Sequence, residues 1–123
     1  MTILMCEDEE IMLSALAFRM RRQGFEVITA EDGREAVQRI KEHQPDIIVS
    51  DIMMPHLSGL QLLEMVRNEM KSEVPVIIIS ALEREETILE AFRKGANDFI
   101  AKPFKPNELI LRIKRIIQEK NLS

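Results

Sequence analysis

The stretch Pro45-Asp46-Ile47-Ile48-Val49-Ser50-Asp51-Ile52-Met53-Met54-Pro55 decides the fold. A proline stands just ahead of a short β-rich apolar run, where its missing N–H costs least. An aspartate follows the run. A run that is apolar at every position, rather than at alternate ones, suits a strand buried on both faces of a parallel sheet. Ile3-Leu4-Met5-Cys6 and Val27-Ile28-Thr29 read the same way upstream. Val76-Ile77-Ile78-Ile79, introduced by Pro75, and Phe99-Ile100-Ala101 do so downstream.

Between the runs lie longer segments of helical period. Ile11, Leu13, Leu16, Ala17 and Met20 mark the first, and Ala36, Val37 and Ile40 the second. Leu60, Leu62, Leu63, Val66 and Met70 mark the third, Ile88, Leu89 and Phe92 the fourth, and Leu109, Ile113, Ile116 and Ile117 the fifth. Gly24 and Gly95 are stop signals after the first and fourth helices, Asp32-Gly33 turns the chain into the second, and Ser58 can cap the third. Strict alternation with right-handed crossovers predicts a doubly wound α/β fold of five β-α units, with helices on both faces of a five-stranded parallel sheet.

The chain has 123 residues, 46% apolar and 31% charged, with a net charge of −4. This predicts one globular domain over residues 1–123 and excludes disorder. The longest apolar runs fall far short of the roughly 20 residues of a membrane span. The acidic N-terminal segment Glu7-Asp8-Glu9-Glu10 and the single cysteine, Cys6, point to a reducing, cytoplasmic setting. Between Lys102 and Lys120 six basic residues face Glu108 and Glu119, which leaves residues 1–101 at −8. Such an acidic body argues against nucleic-acid or anionic-membrane binding by this domain.

Ligands of open parallel sheets bind at the carboxyl ends of the strands. There the sequence puts Glu7 and Asp8 after the first strand, Asp51 after the third, Ser80 after the fourth and Lys102 after the fifth. Three carboxylates brought together repel unless a cation lies among them, and hard oxygen donors suit Mg²⁺. A lysine and a hydroxyl beside them complete a cradle for a phosphoryl group, and an aspartate there can become an acyl phosphate. His43 reads as a helix-end residue, His56 as a solvated loop residue and Cys6 as inert core. Met53 and Met54 flank the acids and are expected to shield them from water.

The whole arrangement, from Thr2 to about Lys120, resembles the receiver domain of two-component response regulators, a flavodoxin-like fold. The motifs that carry it are Ile3-Leu4-Met5-Cys6-Glu7-Asp8-Glu9, Pro45 to Pro55, Ser80-Ala81, and Gly95-Ala96-Asn97-Asp98-Phe99-Ile100-Ala101-Lys102-Pro103-Phe104. The resemblance implies that Asp51 accepts a phosphoryl group from a sensor histidine kinase. It implies that Glu7, Asp8, Asp51 and the backbone carbonyl of Met53 hold Mg²⁺, that Lys102 pairs with the phosphoryl group, and that the bond to Pro103 is cis. Ser80 and Phe99 take the switch positions. The sequence departs from the family pattern at Glu7, where Asp is frequent, and at Phe99, which often is Tyr.

The segment Lys102 to Ile113 is similar to receivers of winged-helix transcription factors, which dimerise through helix four, strand five and helix five. Arg84, Arg93, Lys94, Asp98, Glu108, Arg112 and Arg115 would then supply ion pairs across a homodimer interface. The alternatives are a stand-alone single-domain regulator, a Mg²⁺-dependent phosphohydrolase and a nucleotide-binding module. A phosphohydrolase commonly places a second acid two residues after the nucleophile, and Met53 cannot donate a proton. A nucleotide module wants a glycine-rich loop after the first strand, the electrostatic opposite of Glu7-Asp8-Glu9-Glu10.

Overall fold

Five strands and five helices alternate in the computed structural model, which describes residues 1–82 and 84–120. The strands are β1 (Thr2–Cys6), β2 (Glu26–Ala30), β3 (Ile47–Asp51), β4 (Val76–Ser80) and β5 (Asp98–Ala101). The helices are α1 (Glu10–Arg22), α2 (Gly33–His43), α3 (Gly59–Glu64), α4 (Glu85–Arg93) and α5 (Pro106–Glu119). All strand pairs are parallel, in the order β2-β1-β3-β4-β5. This is the doubly wound sheet expected from the sequence. Of the expected single unit 1–123, residues 83 and 121–123 lie outside the described residues.

The central strands explain the unbroken apolar runs. Every residue of β3 and β4 is buried, because helices cover both faces. Under α1 and α5 lies one core layer, built on Ile3, Met5, Val49, Ile77 and Ile79. Under α2, α3 and α4 lies the other, built on Leu4, Cys6, Ile48, Val76 and Ile78. The period of two along each strand sends alternate side chains to opposite layers.

Local signals set the helix ends. Asp32 Oδ1 accepts from the Glu35 amide at 2.8 Å and starts α2. Ser58 and Gln61 form a reciprocal capping box at α3, with bonds of 3.1 and 2.9 Å. Gly24 and Gly95 take left-handed φ values of +94° and +108° just after α1 and α4.

Three expectations are corrected. Asp51 and Ser80 close β3 and β4 rather than following them, since the sheet ladder runs past the apolar residues. Ile11 is 87% exposed, because it lies off the arc that Leu13, Leu16, Ala17 and Met20 present to the sheet. α4 buries only Ala91, and its Leu89 and Phe92 stay 48% and 45% exposed. Helix three also changes character: α3 continues into a π-helical turn, Met65–Glu69, where the Met70 amide bonds to the Met65 carbonyl at 2.8 Å.

Candidate functional site

β1 and β3 are neighbours, yet the chain leaves them toward opposite edges of the sheet, so a crevice opens beyond their carboxyl ends. Glu7 leaves β1 into this crevice and Asp51 ends β3 beside it. Both are only 4% exposed. Asp8 is exposed, and one carboxylate oxygen from each of the three lies within 4.8 Å of the others. Lys102, just after β5, reaches across: its Nζ donates to Glu7 Oε1 at 2.6 Å and to Asp51 Oδ2.

Backbone groups fix the acids. Asp51 Oδ1 accepts from the Met53 amide at 3.0 Å, and Glu7 Oε2 from the Glu9 amide at 3.2 Å. Gly59 lets α3 begin against the end of β3, since a Cβ there would lie 2.2 Å from the Asp51 carbonyl oxygen. The Lys102 amide donates to the Ser80 carbonyl at 2.8 Å, which ties the ends of β4 and β5 together. The Lys102–Pro103 peptide is cis, as the resemblance implied.

The electrostatics follow from crowding. Burial pushes the Glu7 carboxyl up to about 7, against the opposing hydrogen bond from Lys102, and the Asp51 carboxylate adds to the rise. Burial alone would lower the Lys102 ammonium, but its hydrogen bonds to Asp51 and Glu7 outweigh that and raise it. One lysine charge thus serves two buried acids, with the exposed Asp8 beside them. Three hard oxygen donors within 4.8 Å of one another could hold one metal ion.

Ser80 is fully buried, and its Oγ accepts from the Leu82 amide at 2.9 Å. Phe99 is half-buried and packs on the layer under α2, α3 and α4. Met53 does not shield the acids: its side chain is 62% exposed while its amide is turned to Asp51. Met54 is half-buried, with Sδ 3.9 Å from Ser50 Oγ.

Five of the seven residues expected to pair between subunits find partners within this chain. Asp98, buried, bonds to Arg112 at 2.8 Å and to Arg115 at 3.3 Å. Glu108 reaches Arg112 at 3.1 Å along one face of α5, and Lys94 reaches Glu64 at 2.7 Å. α5 lies close enough to β5 for these pairs to close locally. Arg84 and Arg93 are exposed at the two ends of α4.

The sequence reading passed over Arg67. Its guanidinium donates to the carbonyls of Ser72, Val74 and Gly95 and to Asn97 Oδ1, at 2.7–3.2 Å. An arginine next to a core valine in a helix looks like any surface cation, so no local signal marks it.

An open parallel sheet with acids and a lysine at its switch point is a form suited to phosphoryl chemistry. Comparison with known proteins makes this definite: the response regulator receiver domain family matches residues 3–114, and the chain belongs to that family. It is a receiver domain of the two-component type. It is 34% identical over 121 residues to the alkaline phosphatase synthesis transcriptional regulatory protein PhoP of Bacillus subtilis, covering 98% of this chain and 50% of that one. It is 38% identical over 117 residues to the phosphate regulon transcriptional regulatory protein PhoB of Klebsiella pneumoniae, covering 94% and 51%. The chain spans about half the length of the curated relatives it matches. Among solved structures, the receiver domain of the Francisella response regulator 1452 superposes with a TM-score of 0.92 at 33% identity, covering 97% of this chain and 98% of that one. The receiver domain of NtrX from Brucella abortus does so with 0.86 at 36% identity, covering 94% and 98%. No helix among the described residues is long and apolar enough to cross a membrane.

Proposed function

We propose that Asp51 is the phospho-acceptor of this receiver domain. The observation that carries this reading is the Lys102 ammonium bridging Asp51 and Glu7 at the bottom of an acid-lined crevice. An Asp51 carboxylate oxygen attacks the phosphorus of a phosphohistidine on a sensor kinase. The P–N bond breaks, and its electron pair stays on the imidazole nitrogen. Lys102 then pairs with phosphoryl oxygens in place of its present partner oxygen on Asp51.

Glu7, Asp8 and Asp51, with the Met53 carbonyl, would hold Mg²⁺, which supplies charge neutralisation at the phosphoryl oxygens. The Met53 amide keeps the Asp51 carboxylate aimed at the crevice. Ser80 Oγ gives up the hydrogen bond it accepts from the Leu82 amide and donates its O–H to a phosphoryl oxygen, a strong acceptor because it is charged. Phe99, on the neighbouring strand, turns toward the space vacated beside β4. The face made by α4, β5 and α5 changes shape, and a second copy selects the changed form. Arg84, Arg93, Lys94, Asp98, Glu108, Arg112 and Arg115 lie on or beside that face and re-pair there.

Coverage of about half of two transcriptional regulators supports a role in transcription control, through a winged-helix output domain joined to residues 1–123 in the native cytoplasmic protein. The length of the open reading frame tests that part. Incubation with a small phosphodonor and Mg²⁺, followed by mass-spectrometric mapping, tests the central part. The label is expected on Asp51 alone. A label elsewhere, or equal labelling in excess chelator, overturns the assignment.

A further inference from the structure

Arg67 lies in the π-helical turn after α3, at the amino end of the sheet, far from the acids. Its five hydrogen bonds join three segments. Nη1 holds the Ser72 and Val74 carbonyls of the connection into β4, at 3.0 and 2.7 Å. Nε and Nη2 both hold the Gly95 carbonyl just after α4, at 3.2 and 2.9 Å. Nη2 also holds Asn97 Oδ1 at 3.0 Å, and the same oxygen accepts from the Val76 amide at 2.9 Å. A Cβ on Gly95 would meet Arg67 Nε at 2.9 Å, so the loop is moulded to the guanidinium. Lys94 adds a second tie to the same helix through Glu64, at 2.7 Å.

Among the described residues, no side chain fastens the opposite end of α4 in this way. Arg84 precedes it without a side-chain cap, and the helix buries only Ala91. Its first turn follows Leu82, whose amide is bonded to Ser80 Oγ. The two ends of α4 therefore face the two ends of β4, about 13 Å apart at the usual rise per strand residue. One end is tied through the Gly95 carbonyl and Asn97 Oδ1 to a guanidinium that is itself anchored on the Ser72 and Val74 carbonyls, whereas before the other end the Ser80 hydroxyl holds the Leu82 amide.

We propose that Arg67 is a positioning residue that holds the carboxyl end of α4 still, so that phosphorylation of Asp51 moves α4 only at its amino end. This rests on the reading of Asp51 as the acceptor. The clamp turns a small displacement of Ser80 into a tilt of α4 about a fixed point. Without it, the helix shifts as a body and the output face loses its defined second state.

Amide hydrogen exchange followed by NMR tests the clamp in two arms. The reporters are the amides of Lys94, Gly95, Ala96 and Asn97, which bond to the carbonyls of Glu90, Phe92, Ala91 and Val76. In the unphosphorylated protein, Arg67→Lys keeps the charge but cannot reach all the acceptors. It is expected to speed exchange at these four amides about tenfold while β1 and α1 change less than about twofold. Unchanged exchange there overturns the clamp, and Arg67→Gln repeats the measurement with the charge removed.

The second arm adds beryllofluoride with Mg²⁺, and its wild-type limb requires no variant. Exchange is expected to change at residues 84–88 and stay constant at 93–97, whereas in Arg67→Lys it changes at both. A wild-type change at 93–97 as large as that at 84–88 overturns the fixed point. If beryllofluoride changes nothing anywhere, the acceptor reading of Asp51 fails and the pivot fails with it. The first arm still decides by itself whether Arg67 holds the end of α4.

Discussion

Lys102 at the carboxyl edge of the sheet and Arg67 at the amino edge are both partly buried cations, yet burial leaves them differently placed. Burial lowers both. Carboxylate partners then lift Lys102 above its ordinary value, whereas Arg67, bonded to neutral oxygens, stays below its own. The Lys102 site holds more negative charge than one lysine neutralises, so a further cation or a rearranged set of oxygens is welcome there. The Arg67 site has its acceptors satisfied and nothing to gain from a ligand. The molecule thus keeps an acid-rich, exchangeable charge site at the carboxyl edge of the sheet and, at the amino edge, a cation whose hydrogen bonds are satisfied by neutral oxygens.

Four experiments break or sharpen this contrast. Asp51→Asn should abolish labelling by a phosphodonor, whereas Arg67→Lys should label as wild type; mass spectrometry of both reads the difference. Arg67→Met should lower the unfolding free energy by about 3 kcal/mol in chemical denaturation, because it takes the donor from the Ser72, Val74 and Gly95 carbonyls. Mg²⁺ should not restore that loss. Lys102→Met should cost less, roughly 1–2 kcal/mol, since Glu7 can take up a proton and the crevice stays partly hydrated. Added Mg²⁺ should recover most of it through preferential binding to the folded state. Asp8→Ala should give the smallest effect, a gain of a few tenths of a kcal/mol in the metal-free protein from relieved repulsion. Calorimetric titration of the same variant should show Mg²⁺ binding lost. Restoration of Arg67→Met by Mg²⁺, or its failure with Lys102→Met, would erase the distinction.

The Lys102 end was legible in the sequence because each of its residues abuts an apolar run. Once Ile47-Ile48-Val49 and its counterparts are read as parallel strands, topology alone brings Glu7, Asp8, Asp51, Ser80 and Lys102 to one edge. The Arg67 end was not legible. Its partners are mostly backbone carbonyls, which every residue carries, and the π-helical turn that presents it has no compositional mark. α4 misled for a related reason. Ile88, Leu89 and Phe92 have the spacing of a core face, but only Ala91 reaches the core. Apolar spacing identifies a helix face without saying whether the sheet or a partner covers it. Asp98, Arg112 and Arg115 looked like surface charges available to a second copy. Their closure within one chain depends on the distance from β5 to α5, which sequence separation does not reveal.

The strand order leaves β2 and β5 as the outermost strands, each with one unpaired backbone edge. Such edges are templates on which a sheet can grow into an aggregate. Here β5 is four residues long and opens with Asp98, held by two arginines of α5, while β2 opens with the exposed Glu26. Any chain adding to β5 would have to lie beside the Asp98–Arg112–Arg115 ion cluster. The short, charged edges therefore protect the colloidal stability of a protein whose interior strands, Ile47-Ile48-Val49 and Val76-Ile77-Ile78-Ile79, are among the stickiest sequences a soluble chain can carry.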